Sequence, residues 1–436
     1  MWELRIRFTF VPEIKPLFVI SLNKINMKRL SIFSIFIATV FVSCNSDDEN
    51  LPGIMEIPVE APADYTFTRN NESTVSFSGQ TDRILMAEEI ISAFKDVENA
   101  SQSSIQNMFD HQEGAIDFEN DLLNASGKNV RSKVAASTDF FSSNSTESTA
   151  IKAQFDSYIA LQTQEVFPNW SVLASPGDAG QILDGTSTRY VSAKGLEYNQ
   201  AFAKGLTGAL MTDQIINNYL SISVLDAGSN VDDNDNDVLS GDKAYTVMEH
   251  KWDEAYGYLF GAVPEVNQAT PLATIGDDDS FLNKYVGKTA GDPDFDYIAQ
   301  DIFDAFKLGR AAIVAKNYEV RNEQAIIIQQ EISKVIAIRT IYYLQNGKAA
   351  IDPNNMGGAF HDLSEGYGFL ISLRFTRDIQ SGTALFTKSE VDGFLADIMN
   401  DGANGFWDIT ESTLDSISEA IAAKFNFTVA QAASTN

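Results

Sequence analysis

An all-α protein with one small N-terminal β-hairpin is what this 436-residue sequence predicts. Three observations lead there. Apolar residues recur at helical spacing from about residue 80 onward. Few alternating, strand-like runs remain beyond that point. A ten-residue pattern occurs twice, which suggests two related helical bundles. At 44% hydrophobic residues the chain can bury a large core, so global disorder is excluded. A net charge of -29 argues against a nucleic-acid partner, which requires a basic footprint. The single Cys excludes a disulfide framework, an iron–sulfur centre and a Cys-built zinc site.

The N-terminus reads as an address. Met27-Lys28-Arg29 precedes an apolar run from Leu30 to Val42, then Ser43-Cys44. A basic start, a short apolar stretch and a small residue before a cut form a secretory signal, too short to span a bilayer. Met27 is read as the true start, so residues 1–26 are upstream sequence and 27–43 the signal peptide. The placement of Cys44 resembles a bacterial lipobox, with Phe41 where Leu is commoner, and implies lipidation of Cys44. The acidic Asn45-Ser46-Asp47-Asp48-Glu49 behind it resembles the surface-export signal of Bacteroidota lipoproteins. Residues 44–63, with Pro52, Pro58 and Pro62, form an acidic tether to the membrane.

Tyr65–Phe67 and Val75–Phe77 alternate around Asn70-Asn71, which predicts the hairpin. Helices are predicted near 82–98, 101–110, 147–166, 193–221, 242–260, 295–318, 322–346, 361–378, 388–400 and 411–424. The 322–346 segment is apolar around most of its circumference and should be central. Thr387 with Glu390 fits a capping box, and Asp401-Gly402 supplies the stop. Domain bounds follow as 64–290 for a first helical half, with an inserted Asp/Asn-rich loop at 226–242, and 291–430 for the second.

Ser171–Thr188, rich in Pro, Gly and Ser, is predicted as a long loop. In the 226–242 loop, Asp233, Asp235 and Asp237 invite a calcium reading. An EF-hand requires Gly and Glu at fixed positions, where Val238 and Ala244 stand, so a solvated acidic loop is expected instead. His111 is expected to be exposed. Arg189 and Glu197 are read as helix-start residues, with a cleft-lining role as the alternative.

The repeated pattern is H-x-x-x-E-[AG]-Y-G-[YF]-L, at His250–Leu259 and again at His361–Leu370. Gln200 and Lys204 upstream of the first copy, and Gln330 and Lys334 upstream of the second, extend the echo. On a helix, His and the Glu four residues on share a face with the Gly and the following aromatic. Each mid-helix Gly costs about 1 kcal/mol against Ala and points to close approach of a neighbouring helix. If the halves pack about a pseudo-two-fold, His250, Glu254, His361 and Glu365 meet as ligands for iron or zinc. Tyr256, Gly257, Tyr258, Tyr367, Gly368 and Phe369 then shape that cavity, with Asp253 as a further oxygen donor. The alternative is two separate His–Glu pairs that each fix helix register.

A lipoprotein with two related helical halves and a His/Glu helix motif resembles the imelysin-like proteins. The stretches Arg189–Gln200 and Met248–Leu259 are similar to an uncharacterised Bacteroidota lipoprotein family known as a domain of unknown function. The imelysin pattern G-x-H-x-x-E departs here, with Met248 or Ala359 at its Gly and Asp253 or Ser364 at its Glu. No H-E-x-x-H, P-loop or G-x-S-x-G occurs, so no enzyme is expected. The expectation is an outer-membrane lipoprotein, exposed on the cell surface or facing the periplasm. It binds a ligand, such as iron or a metal chelate, as an accessory to uptake beside an outer-membrane transporter. The alternatives are a glycan-binding surface lipoprotein or a structural, adhesive one.

Overall fold

A computed structural model describes residues 58–352 and 354–434. The segment read as a signal peptide, Cys44 and most of the expected tether lie outside the described residues. Helices of eight or more residues are numbered here in chain order. The hairpin pairs β1 (Thr68–Arg69) with β2 (Glu72–Ser73). Asn70 and Asn71 form its turn, both with positive φ, 54° and 68°. Two such residues suit the right-handed twist of a tight hairpin, and Asn tolerates that conformation better than most residues. Then follow α1 (Ser78–Ala93), α2 (Gln102–Phe109) and α3 (Ser145–Leu161). The last runs directly into a π turn at Gln162–Val166.

The predicted loop at 171–188 is a correction. It folds into β3 (Gly180–Asp184) against β4 (Ser187–Val191), turned by Gly185 at φ 57°. Pro, Gly and Ser masked a hairpin whose strands carry only modest alternation. The helix α4 (Tyr198–Leu206) starts later than predicted and continues through π turns at 207–212 and 215–219. Next come α5 (Val247–Phe260) and α6 (Leu282–Ala290), the latter not anticipated. The chain closes with α7 (Ile298–Val314), α8 (Tyr318–Ala349), α9 (Gly357–Leu373), a two-residue hairpin, α10 (Lys388–Asn400) and α11 (Glu411–Ala422).

The chain is mostly helical, with only small two-stranded sheets among the described residues, which bears out the expected class. The long α8 packs against α7, α9 and α11, and its Ile328, Ile332, Val335, Ile336 and Ile341 are buried, as a central helix requires. The Thr387 capping box forms: the Thr387 N–H donates to Glu390 Oε2 at 2.8 Å, and the Glu390 N–H to Thr387 Oγ1 at 3.3 Å. Among the described residues, no helix is long and apolar enough to cross a membrane.

The Asp/Asn-rich segment is organised by protein donors. It contains a short helix, Asn230–Asp235, whose buried Asn234 binds the Ile313 carbonyl and accepts from Thr246 Oγ1. Asp233 accepts from Ser229, Asp235 from Tyr318 and Asp237 from Lys316. Among the described residues no cluster of His, Cys, Asp and Glu suited to a metal occurs, at this segment or elsewhere.

Candidate functional site

The two motif helices, α5 and α9, are built alike. Trp252 of α5 lies over Gly309 of α7; its counterpart Leu363 of α9 lies over Gly347 of α8. Gly257 lets Phe77 and Gln80 of the α1 start approach, and Gly368 does the same for Gln200 and Lys204 of α4. A Cβ at these glycines would overlap the neighbour, which explains their presence mid-helix. The upstream echo in sequence is not matched by equivalent contacts. Lys204 serves the second motif, and Lys334 pairs with Glu331 of its own helix. The partners of each motif helix also cross residue 290: α9 packs on α4, and α5 on α7.

The four expected ligands are not gathered into one donor set, since no group of three or more metal-type side chains exists among the described residues. The physical reason is local satisfaction. Glu254 accepts from Lys251 Nζ at 2.7 Å and from Gln80 Nε2 at 3.2 Å. Glu365 pairs with Lys204 Nζ at 3.2 Å. Asp253, the possible further donor, is fully buried between Arg310 Nε at 3.0 Å and the Tyr65 hydroxyl at 2.7 Å. Tyr256 stacks on Tyr65, and Tyr258 on Tyr219, while Phe369 meets Tyr285 edge-on and Tyr367 sits beside Tyr158. Each of the four aromatic rings thus has another aromatic side chain as its neighbour.

The two histidines have diverged within this shared frame. His250 stacks on Tyr245, and its buried Nδ1 has no partner. Burial holds it below the ordinary imidazole range, despite the nearby Glu254 charge. His361 Nδ1 bonds Glu197 Oε1 at 2.9 Å. Burial works against a charged ring there too, but the Glu197 hydrogen bond and charge outweigh it and raise the pKa. Glu365 follows the same logic: burial alone would raise it, yet the charges of Lys204 and His361 hold it down at about 2. The next residue, Asp362, is pushed up to about 6 by burial, against the pull of His361. The two copies thus differ at the imidazole: His250 has no carboxylate bonded to Nδ1, whereas His361 has Glu197.

Glu197 is placed by a tight loop. The Ser192 N–H donates to the Leu196 carbonyl at 2.9 Å, and Gly195 takes φ 83° against the Phe360 ring. The Glu197 N–H then donates to Ser364 Oγ at 2.9 Å, which fastens the start of α4 to α9. Its side chain does not cap α4; it turns to His361. Glu197 thus stands at the start of α4 as expected, its carbonyl accepting from the Gln200 and Ala201 N–H groups, whereas Arg189 does not: on β4 it forms an ion pair with Asp184 of β3, at 2.6 and 2.9 Å.

Arg189 and Glu197 both line a cleft of about 360 Å³, within the range of small-molecule sites. Its aromatic walls are Phe94, Trp170 and Tyr190, and Gln162 and Asn199 add amides. Trp170 and Tyr190 stack with centroids 3.4 Å apart, 7° from parallel. The sequence offered no sign of this pairing, because the rings come from a turn after α3 and from the unrecognised hairpin. Beside the start of α1, a cleft of about 550 Å³ is lined by Ser73, Ser76, Ser78 and Thr81 with the carboxylates Asp82 and Glu265. His111, expected at the surface, is buried, with Nδ1 bonded to Asp117 at 2.7 Å and its ring edge-on to Phe118. Its two neighbours are local, so it belongs to the packing of 110–125.

Residues 62–428 match the family described as Domain of unknown function (DUF4856). The chain belongs to that family. No curated protein and no solved structure matches it.

Proposed function

We propose that this DUF4856 protein is an envelope-anchored lipoprotein whose helical body binds a small ligand in the Glu197–Trp170 cleft. One observation carries the reading: Glu197 is at once a wall of the cleft and the partner of His361. The duplicated motif thus has one copy whose charged pair reaches a cleft of ligand size. A polar dyad that is buried on one side and open to a cleft on the other is the usual form of a recognition element. A molecular ligand fits better than a bare ion, because the carboxylates around His361 are already matched by Lys204 and by the imidazole itself.

The lipobox-like Cys44, the acidic residues behind it and the resemblance to Bacteroidota lipoproteins support an outer-membrane address, displayed at the surface or facing the periplasm. The looser resemblance to imelysin-like proteins supports an accessory role in uptake beside a transporter. A Cys44→Ser variant tests the address: the protein should move from the membrane to the soluble fraction on extraction of cells. Native mass spectrometry of the full chain, purified from its own envelope, tests the cleft. A bound mass should appear in the wild type and vanish in Glu197→Gln, with the fold unchanged by circular dichroism. A mass retained in Glu197→Gln, or none in either, would refute binding at this cleft.

A further inference from the structure

Beside the first copy of the motif we infer a second binding site, for a phosphate monoester, built by Arg83, Lys128, Lys133 and Lys251. None of these four lines the Glu197–Trp170 cleft, so the inference stands apart from that reading. Arg83 comes from α1, Lys128 and Lys133 from the chain between α2 and α3, and Lys251 from α5. Tyr219, in the π turn at 215–219, gathers two of them: Lys251 Nζ lies 5.3 Å from its ring centroid and Lys133 Nζ 5.8 Å. Lys128 crosses α1 at Gly79, where a Cβ would meet its Cε at 2.9 Å, and the Arg83 guanidinium lies at the same glycine. Lys128 is exposed and the Lys251 side chain 30% so, which leaves the cluster open to solvent.

The charge there is unbalanced. Lys251 is matched by Glu254 at 2.7 Å. Among the described residues Arg83, Lys128 and Lys133 form no ion pair. Arg83, buried at 7% exposure, donates only to backbone carbonyls of Gly79 and Asn129, each at 3.0 Å. Asp82, its neighbour in sequence, accepts instead from Ser126 Oγ at 2.6 Å. Of the charges that act most on Lys133, three are the cations Arg83, Lys251 and Lys128, and one is the Glu254 carboxylate. Burial first, and then those cations, hold the Lys133 ammonium below the usual lysine range. The chain as a whole carries 60 acidic residues to 31 basic, so cations outnumbering carboxylates at one place require a reason. Like charges held together cost stability, and a bound anion offsets that cost. Lys and Arg offer donors only, so the ligand brings acceptors. A carboxylate balances one charge. A phosphate monoester brings about two negative charges on three acceptor oxygens at neutral pH, and so fits the excess better.

The test uses the full chain carrying Cys44→Ser, so that no acyl anchor can form, at constant ionic strength. Isothermal titration should show binding of glucose 6-phosphate and inorganic phosphate, and none of acetate or glucose. Lys133→Gln and Lys128→Gln should each weaken phosphate binding by about tenfold, the effect of one lost charge-assisted hydrogen bond. Lys388→Gln on α10 should bind as the wild type does, and thermal melts verify the fold of each variant. Proton NMR then locates the ion: Lys251 and Lys128 both lower the pKa of His250, so bound phosphate should raise it. Flotation with phosphatidylcholine vesicles, plain or holding phosphatidic acid, separates two sources of the phosphate group. Capture by the acidic vesicles alone, lost in Lys133→Gln, assigns a lipid headgroup; no capture beside binding of glucose 6-phosphate assigns a soluble ester. If no phosphate probe binds, if both lysine variants bind unchanged, or if the His250 titration stays where it was, the site is overturned.

Discussion

Replacing Lys204 by Met isolates the energetics of the buried ion pair in the second motif. Lys204 and Glu365 are almost wholly buried, with side chains 6% and 9% exposed. The Glu365 carboxyl lies at about 2, against an ordinary 4.5. At 1.36 kcal/mol for each pH unit, that gap is about 3 kcal/mol of stability at neutral pH. The sign follows from a depressed carboxyl: the stability is present above pH 4.5 and is lost as pH falls toward 2. Lys204→Met strands the carboxylate, and breaking a buried pair from one side costs about 3–5 kcal/mol. Tyr343 still bonds Glu365, so the lower end is expected. Urea titrations of wild type and variant at pH 7 should differ by about 3 kcal/mol. The difference should narrow as pH falls through 5, because the stranded Glu365 then binds a proton in the folded variant. Lys204→Met/Glu365→Gln should recover much of the loss. A difference under about 1 kcal/mol at pH 7, the value of an exposed pair, would refute this account.

The chain has three histidines, so proton NMR with single His variants for assignment should resolve them. His361 should titrate above the ordinary 6.5 and His250 below it, and the reverse order would contradict the Glu197 pairing. Gly309→Ala should destabilise by about 1–3 kcal/mol because its Cβ meets the Trp252 ring, whereas the half-buried Gly393→Ala, with open space where the Cβ would go, should stabilise by up to about 1 kcal/mol. Thermal melts of both variants decide this. Dialysis against EDTA should leave the melting temperature unchanged, and a fall of several degrees would restore a metal to the picture.

His361 and Glu365 were legible as a pair because helical spacing is a local property, and four residues always return to the same face. Their partners were not legible. Glu197 lies 164 residues before His361, and Lys204 reaches Glu365 only because α4 packs on α9. The motif glycines announced a close approach without saying by which helix. Gln162, Trp170 and Tyr190 carried no pattern at all: their juxtaposition follows from a π turn and a hairpin that composition disguised as loop. Helix positions, the Asn70-Asn71 turn and the Thr387 cap come from interactions within a few residues, so they can be read along the chain. Whether two like motifs share one centre, and which imidazole meets a carboxylate, depends on contacts between distant segments. In this protein burial and a single carboxylate give the two imidazoles opposite environments, and no pattern of neighbours in sequence encodes that.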